Sequence, residues 1–450
     1  MSSDRNRILI DSIRRLIRRG ASSHLRKIVN KTHAADLSAV FRSIPTTSQR
    51  QLFNMIEDPE KKGILFSSID PDSINDLIED MGVDDIVEIM DHMSSDDVAD
   101  IIALFPENLA RATLERMKTE DSEEVEDLLR YEDDTAGGIM VPDFIALPEN
   151  ATAKEAIAAI QTDYPDVEMP FYLYVVDDYG RLVGVSSLRQ LVVVLPETAL
   201  RDFMTRDVFY VHTDVDQEEV ARIVARYDIL AVPVVSGNNQ LVGIVTVDDI
   251  IDIIRKEATE DILKMAGAGE QFVETQTVFR STRSRFPWLF ASCIGGVIAF
   301  FVIGHFENSL VQIAYLAAFI PVVMGMGGNI GTQSSTIVVR GLATGHFNVR
   351  DTGKVVVKEL TIGLLLGLVY GLIIASVAQI SYNKAALAIS VGLAVLSSMS
   401  LAALVGSLVP MAFERINIDP AVATGPFVTT AIDIISVFLY FKIATTLIGL

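Results

Sequence analysis

The chain is 450 residues long and half hydrophobic, with 37 Lys/Arg against 59 Asp/Glu. Residues 1–31 carry nine basic and two acidic groups, residues 32–280 carry 19 and 51, and residues 281–450 carry nine and six. An acidic body of that size repels phosphate backbones, which excludes nucleic acid as a partner, and it is self-repelling unless cations screen it. The single cysteine, Cys293, excludes an intrachain disulfide, and His24, His33, His92, His212, His305 and His346 lack zinc-ligand spacing.

The N-terminus predicts a basic amphipathic helix rather than a signal peptide, because Arg14, Arg15, Arg18 and Arg19 break its apolar stretches. Such a helix is either solvated or laid against anionic lipid. Up to residue 135 the pattern is all-helical. Segments such as "SINDLIEDM", "VDDIVEIMDHM" and "SDDVADIIALF" each pair an Asp, Ser or Asn start signal with apolar residues at helical spacing. Short helices recurring this way predict a superhelical array.

Residues 139–256 hold an internal repeat. "VVDDYGRLVGVSSLRQL" from Val175 matches "VVSGNNQLVGIVTVDDI" from Val234 at an offset of 59. Each copy predicts a β-hairpin leading into a helix, preceded by a strand, a helix and Met–x–x–Asp at Met140 or Met204. This resembles a tandem pair of CBS domains, with modules expected at 136–200 and 201–256. A linking helix, 257–284, is expected to carry state changes from this pair to the membrane part.

Residues 285–450 contain five long segments: Phe286–Gly304, Asn308–Val339, Leu360–Asn383, Ala385–Phe413 and Pro420–Phe441. They are uncharged except for Asp433, and each is long enough to span a bilayer. Arg340, Arg350, Lys354 and Lys358 cluster between the second and third segments. The positive-inside rule then puts the soluble half in the cytosol and the C-terminus outside.

Asp433, deep in the last segment, is costly unless it faces a hydrated path, and a carboxylate suits Mg²⁺. One carboxylate per chain is thin for a dication, which argues for two chains about a two-fold axis. In "PVVMGMGGNIGTQSST", Asn329, Gln333 and Thr336 share a helix face, a polar stripe suited to a pore. Thr429 and Thr430 lie within a turn of Asp433 and are expected to meet ion-bound water. In the soluble half Asp96 and Asp100 share a face, as do Glu257, Glu260 and Asp261.

These features together resemble the MgtE family of magnesium transporters. The most specific stretches are "RYEDDTAGGIM", "TDVDQEEVAR", "GIVTVDDI", "EATEDI", "GGNIGTQSST" and "IDPAVATGPFVTTAID". The resemblance implies an all-α N domain, an α/β CBS pair and a five-helix transmembrane domain in the plasma (inner) membrane, working as a homodimer. It implies a channel-like, magnesium-selective conductor with no enzymatic step, gated by cytosolic Mg²⁺. Asp433 matches the central pore acid, Thr429 a carbonyl donor and Asp419 an acid at the cytosolic mouth. Asp96, Asp100, Gly138, Asp216, Glu218, Ala225, Asp228, Asp249, Asp252, Glu257, Glu260 and Asp261 match positions tied to regulatory magnesium. Tyr172, Arg189 and Pro233 match a site for ATP as a regulatory ligand. Ile64 replaces an N-domain acid of some relatives, and Gln190 stands where the second CBS copy keeps the ribose-binding acid Asp249. The residues leave open a broader cation transporter (Co²⁺, Mn²⁺, Ca²⁺) and a sensor that does not transport; Asp433 and the polar stripe weigh against the latter. No G-x-x-x-x-G-K-[ST] loop is present to power a pump.

Overall fold

The computed structural model describes residues 2–79, 81–162, 164, 167, 169–268, 278–312, 314–422 and 424–449. Two units form, Met1–Ile254 and Arg255–Leu450. The first begins with the helix Ser2–Arg18 and continues in short helices, among them Ala34–Phe41, Thr46–Phe53, Pro59–Ser68, Pro71–Ile78, Val83–Met90, Ser95–Ala103 and Thr119–Leu128. Their shortness follows from closely spaced start signals. Asp70 accepts a hydrogen bond from the Ser73 amide at 3.0 Å, with Pro71 opening the helix. The His33 ring accepts one from the Ala35 amide in the same way.

Each helix buries one face. Leu37, Phe41, Leu52, Phe53, Leu65, Phe66, Leu77, Ile86 and Ile89 share one core, and each is worth about 1.5–3 kcal/mol of burial. That core continues through Ala136 and Met140 into Val220, Val232, Val245 and Ile250 of the second CBS copy.

The repeat is visible residue by residue. Strand β1 (Ala146–Pro148) runs parallel to β2 (Tyr172–Val176), which pairs antiparallel with β3 (Leu182–Ser187). Strands β4 (Val211–His212), β5 (Ala231–Val235) and β6 (Leu241–Thr246) repeat that arrangement. Tyr172 pairs with Ser187 and Ala231 with Thr246, so the offset of 59 holds in the register as well. The hairpin tips bond reciprocally: the Leu182 amide donates to the Asn239 carbonyl and the Leu241 amide to that of Gly180. Met140 packs on Gly243 of the second copy and Met204 on Gly184 of the first. The stretch opening each copy therefore reaches across to its sister.

The linking element differs from expectation. In place of a separate helix over 257–284, the last CBS helix runs unbroken through Val247–Met265. Nothing between Val247 and Met265 stops a helix, since neither Gly nor Pro occurs there. Residues 269–277 of the expected helix lie outside the described residues, and the next helix starts at Val278.

Among the described residues, five helices are long and apolar enough to cross a membrane: Ser281–His305, Ala314–Ala343, Val349–Tyr382, Ala385–Arg415 and Gly425–Ile448. The third begins well before Leu360, because a helix extends past its apolar run and carries the charged Lys354, Lys358 and Glu359 in its first turns. Gly363, Gly367 and Gly371 of this helix form a seam against Met399, Leu396 and Gly392 of the fourth. Small residues at that spacing let two backbones approach closely, which is what holds helices together in lipid. A Cβ at Gly367 would stand 3.0 Å from the Leu396 carbonyl oxygen, whereas one at Gly353 would meet nothing within 4 Å. Gly367→Val is thus expected to cost about 1–3 kcal/mol through overpacking. Melting of the detergent-solubilised chain should fall in Gly367→Val and hold in Gly353→Ala; equal melting of both would refute the seam.

Candidate cation sites

Asp433 is half-buried in the fifth span and lies alongside Gly328 of the second, with its Oδ1 3.8 Å from where a Gly328 Cβ would stand. One residue on, Asn329 is exposed, as are Gln333 and Thr336, so the polar stripe faces out of the single chain rather than into its core. Thr429 precedes Asp433 by one turn, and its hydroxyl bonds the Gly425 carbonyl at 3.1 Å. Thr430, three residues before Asp433, packs its methyl against Gly295 of the first span.

The second span has a second polar face. Ser334 donates a hydrogen bond to the carboxylate of Glu359 at 2.8 Å, and Glu359 is only 4% exposed. Ser335 is equally buried, and its hydroxyl has no partner among the described residues. Glu359 is the buried membrane acid that the sequence did not single out. Its place one residue outside an uncharged run made it read as loop.

At the mouth, Asp419 forms a turn in which its Oδ1 accepts from the Ala421 amide at 2.7 Å, while Oδ2 meets the Lys264 ammonium at 2.7 Å. Lys264 also pairs with Glu260, one turn back on the connecting helix. Asp261 is half-buried; burial, with Asp419 beside it, pushes its carboxyl above the usual range. Glu257 is half-buried one turn before it.

The acids of the first unit form separate groups. Asp96 and Asp97, in the first turn of Ser95–Ala103, face Asp248 and Asp249, in the first turn of Val247–Met265. Burial, then the neighbouring acids, raises Asp97 to about 6 and Asp249 to about 7; burial raises Asp96 as well. The Asp96 Oδ1 is buried with no hydrogen-bond partner among the described residues, which suits a site awaiting a cation or a proton. Asp100 and Asp252 are exposed.

Asp216 caps the helix Gln217–Tyr227 by accepting from the Glu218 amide at 2.8 Å. Ala225 and Asp228 are at the far end, with Asp228 in the left-handed region at φ 52°. At 1.5 Å per residue the two ends are about 16 Å apart. These four residues therefore cannot share one ion within the chain. Gly138 lies in a tight turn against the Glu132 carbonyl, where a Cβ would collide.

Tyr172 packs with Val141, Tyr174, Ala231 and Ile244, a cluster joining the CBS copies, and Pro233 pairs with Ile244 in β5. Arg189 is exposed at the start of Leu188–Val193. Gln190 closes that helix's capping box, accepting from the Ser187 amide at 2.8 Å. Asp249 does the same work 59 residues later, accepting from the Thr246 hydroxyl.

Among the described residues, no three His, Cys, Asp or Glu side chains converge to hold a metal ion by themselves. Acids in pairs suit Mg²⁺, which keeps several waters and takes few direct ligands.

Comparison with known proteins places these sites in context. Residues 320–443 match a family described as a divalent cation transporter, residues 32–134 the MgtE intracellular N domain, and residues 136–197 and 200–256 the CBS domain. The magnesium transporter MgtE of Thermus thermophilus is 39% identical over 333 residues, 72% of each chain. That of Bacillus subtilis is 37% identical, over 74% of each. A crystal structure of the cytosolic domain of the Mg²⁺ channel MgtE in complex with ATP matches at a TM-score of 0.51 and 35% identity, covering 54% of this chain and 99% of that one.

The raised carboxyls set a direction with pH. Asp97 and Asp249 titrate near 6 and 7 when folded and near the ordinary 3.8 when unfolded. The folded state therefore binds more protons between those values, and stability falls as pH rises from about 4 to about 7. In chelator, the full chain is expected to melt higher at pH 5.5 than at 7.5. Asp249→Asn should shrink that difference, and millimolar Mg²⁺ should remove it. A melting temperature that rises with pH and ignores Asp249→Asn would refute the cluster.

Proposed function

The chain belongs to the MgtE family of magnesium transporters, and from that membership we propose that it is a channel-like, magnesium-selective conductor gated by cytosolic Mg²⁺. It works as a homodimer in the inner membrane, with the N-terminal half in the cytosol and the C-terminus outside. Transport is its activity, with no enzymatic step. The observation that carries this reading is Asp433, a carboxylate half-buried inside the fifth span alongside Gly328 of the second.

Mg²⁺ sheds water reluctantly and demands octahedral geometry. A pore that passes it has to recognise the hydrated ion. Asp433 from two subunits supplies two negative charges across the axis, and each hydrogen-bonds first-shell water. The Thr429 carbonyl and the Asn329 amide extend that ring of polar groups, and Asp419 concentrates cations at the mouth. Little desolvation is needed, so the barrier to passage is low and flux follows the ion's own electrochemical gradient.

Gating follows from the cytosolic acids. Carboxylates ~4 Å apart repel by about 1 kcal/mol in water and several-fold more near a protein surface. A bound dication reverses that sign. Bridging at Asp96, Asp100, Asp249, Asp252 and at Gly138, Asp216, Glu218, Ala225, Asp228 favours a compact state, which Glu257, Glu260 and Asp261 transmit along the connecting helix. Several sites are needed, because a ligand shifts a balance only by its preference for one state. ATP is the second regulatory ligand, held by Tyr172 and Arg189 of the first CBS copy together with Pro233 of the second; the ATP complex of the similar cytosolic domain supports this.

Two measurements test the reading. In liposomes, Asp433→Asn should cut Mg²⁺ flux by an order of magnitude or more, roughly the loss of one ~1.4 kcal/mol interaction per tenfold, while the dimer stays intact on gel filtration. Wild-type flux in a correctly inserted variant would sink the pore assignment. For gating, spin labels on the helical domain and the CBS pair should approach as Mg²⁺ rises from chelated to millimolar. Joint neutralisation of Asp249, Asp252, Glu257 and Glu260 should abolish that approach and leave the pore open at high Mg²⁺. Unchanged distances in the wild type would reject magnesium gating.

A further inference from the structure

The mouth acids already hold a cation. The Lys264 ammonium lies between Asp419 and Glu260, 2.7 Å from the former, and its side chain is only 15% exposed. Both oxygens of Asp419 are engaged, one by the Ala421 amide and one by Lys264. An ordinary lysine is charged at neutral pH, and here the ammonium has a carboxylate on either side of it.

Its reach is fixed by the backbone. The Met265 carbonyl lies 2.8 Å from where a Gly425 Cβ would stand, so only glycine opens the fifth span without a collision there. Gly267 turns the chain at φ 64° directly against Pro426. The end of the connecting helix therefore meets the start of the fifth span, which keeps the ammonium within reach of both acids.

We propose that Lys264 is a tethered counter-cation that competes with Mg²⁺ for Glu260 and Asp419, and so sets the Mg²⁺ concentration at which the connecting helix locks onto the fifth span. This rests on the reading of those two acids as magnesium ligands. A dication entering the pair has to displace an ammonium that is always present and already oriented. The apparent affinity is reduced by the fraction of time Lys264 stands aside. At low Mg²⁺ the lysine keeps the two acids from repelling each other; at high Mg²⁺ the dication takes over and Lys264 turns to solvent.

The test uses the full chain in detergent, with Mg²⁺ titrated and protection of the connecting helix from protease as readout. Lys264→Met should lower the half-protection concentration by about threefold to tenfold, the factor expected if the competitor holds the site most of the time. Lys264→Arg, which keeps the charge, should stay near the wild type. Adding Asp419→Asn to Lys264→Met should erase the gain. An unchanged or raised half-point in Lys264→Met, with the wild type responding, overturns this inference alone. A wild type that shows no Mg²⁺-dependent protection overturns it together with magnesium gating. Lys264→Gln serves as a second neutral variant; if neither neutral variant folds while Lys264→Arg does, Lys264 is a strut and the inference falls.

Discussion

Negative charge held close together and partly out of water is the constraint on which the rest of this molecule depends. Between residues 32 and 280 the chain carries 51 acids against 19 bases, and the structure concentrates several of them at helix starts. The positive end of a helix dipole eases one carboxylate there. It does not ease two helix starts that face each other, as those of Asp96 and Asp249 do. Protons, a lysine or a dication must finish the neutralisation, and each leaves the protein with a different stability.

The membrane half solves a complementary problem. A polar stripe in lipid is tolerable only against water or protein. Asn329, Gln333 and Thr336 point away from the single chain's core, so the remaining helices must pack without using that face. The glycine seam between the third and fourth spans provides such packing, as do Gly327 and Gly331 against Ser398, Ser436 and Ile432. The Ser334–Glu359 bond then fixes the rotation of the second span about its axis. Polar residues at successive positions on one helix thus serve opposite purposes.

Much of this was legible in the sequence because its signals are local. Five apolar stretches of spanning length, a repeat at constant offset and an isolated acid within the last span each need only neighbouring residues to be seen. What escaped depends on distance. Lys264 and Asp419 are 155 residues apart, and no pattern of spacing links them. Glu359 was hidden because the end of an uncharged run was taken as the end of a helix, although lysines beside it reach water from within the first turns. The connecting helix was cut at a module boundary that the backbone ignores, since the chain from Val247 to Met265 contains no breaker.

Gln190 and Asp249 show why motif and function separate. Both occupy the third position of a helix and both accept from the hydroxyl residue three places earlier. For that structural task an amide and a carboxylate are interchangeable. Only the charge differs, and only the second copy faces other acids. A carboxylate at position 190 would cap its helix equally well, but Asp249 does so while also loading the cluster formed with Asp96 and Asp97. The repeat supplies two similar helix starts; the neighbouring helical domain, packed on one copy through a shared core, makes one of them part of a buried acidic contact.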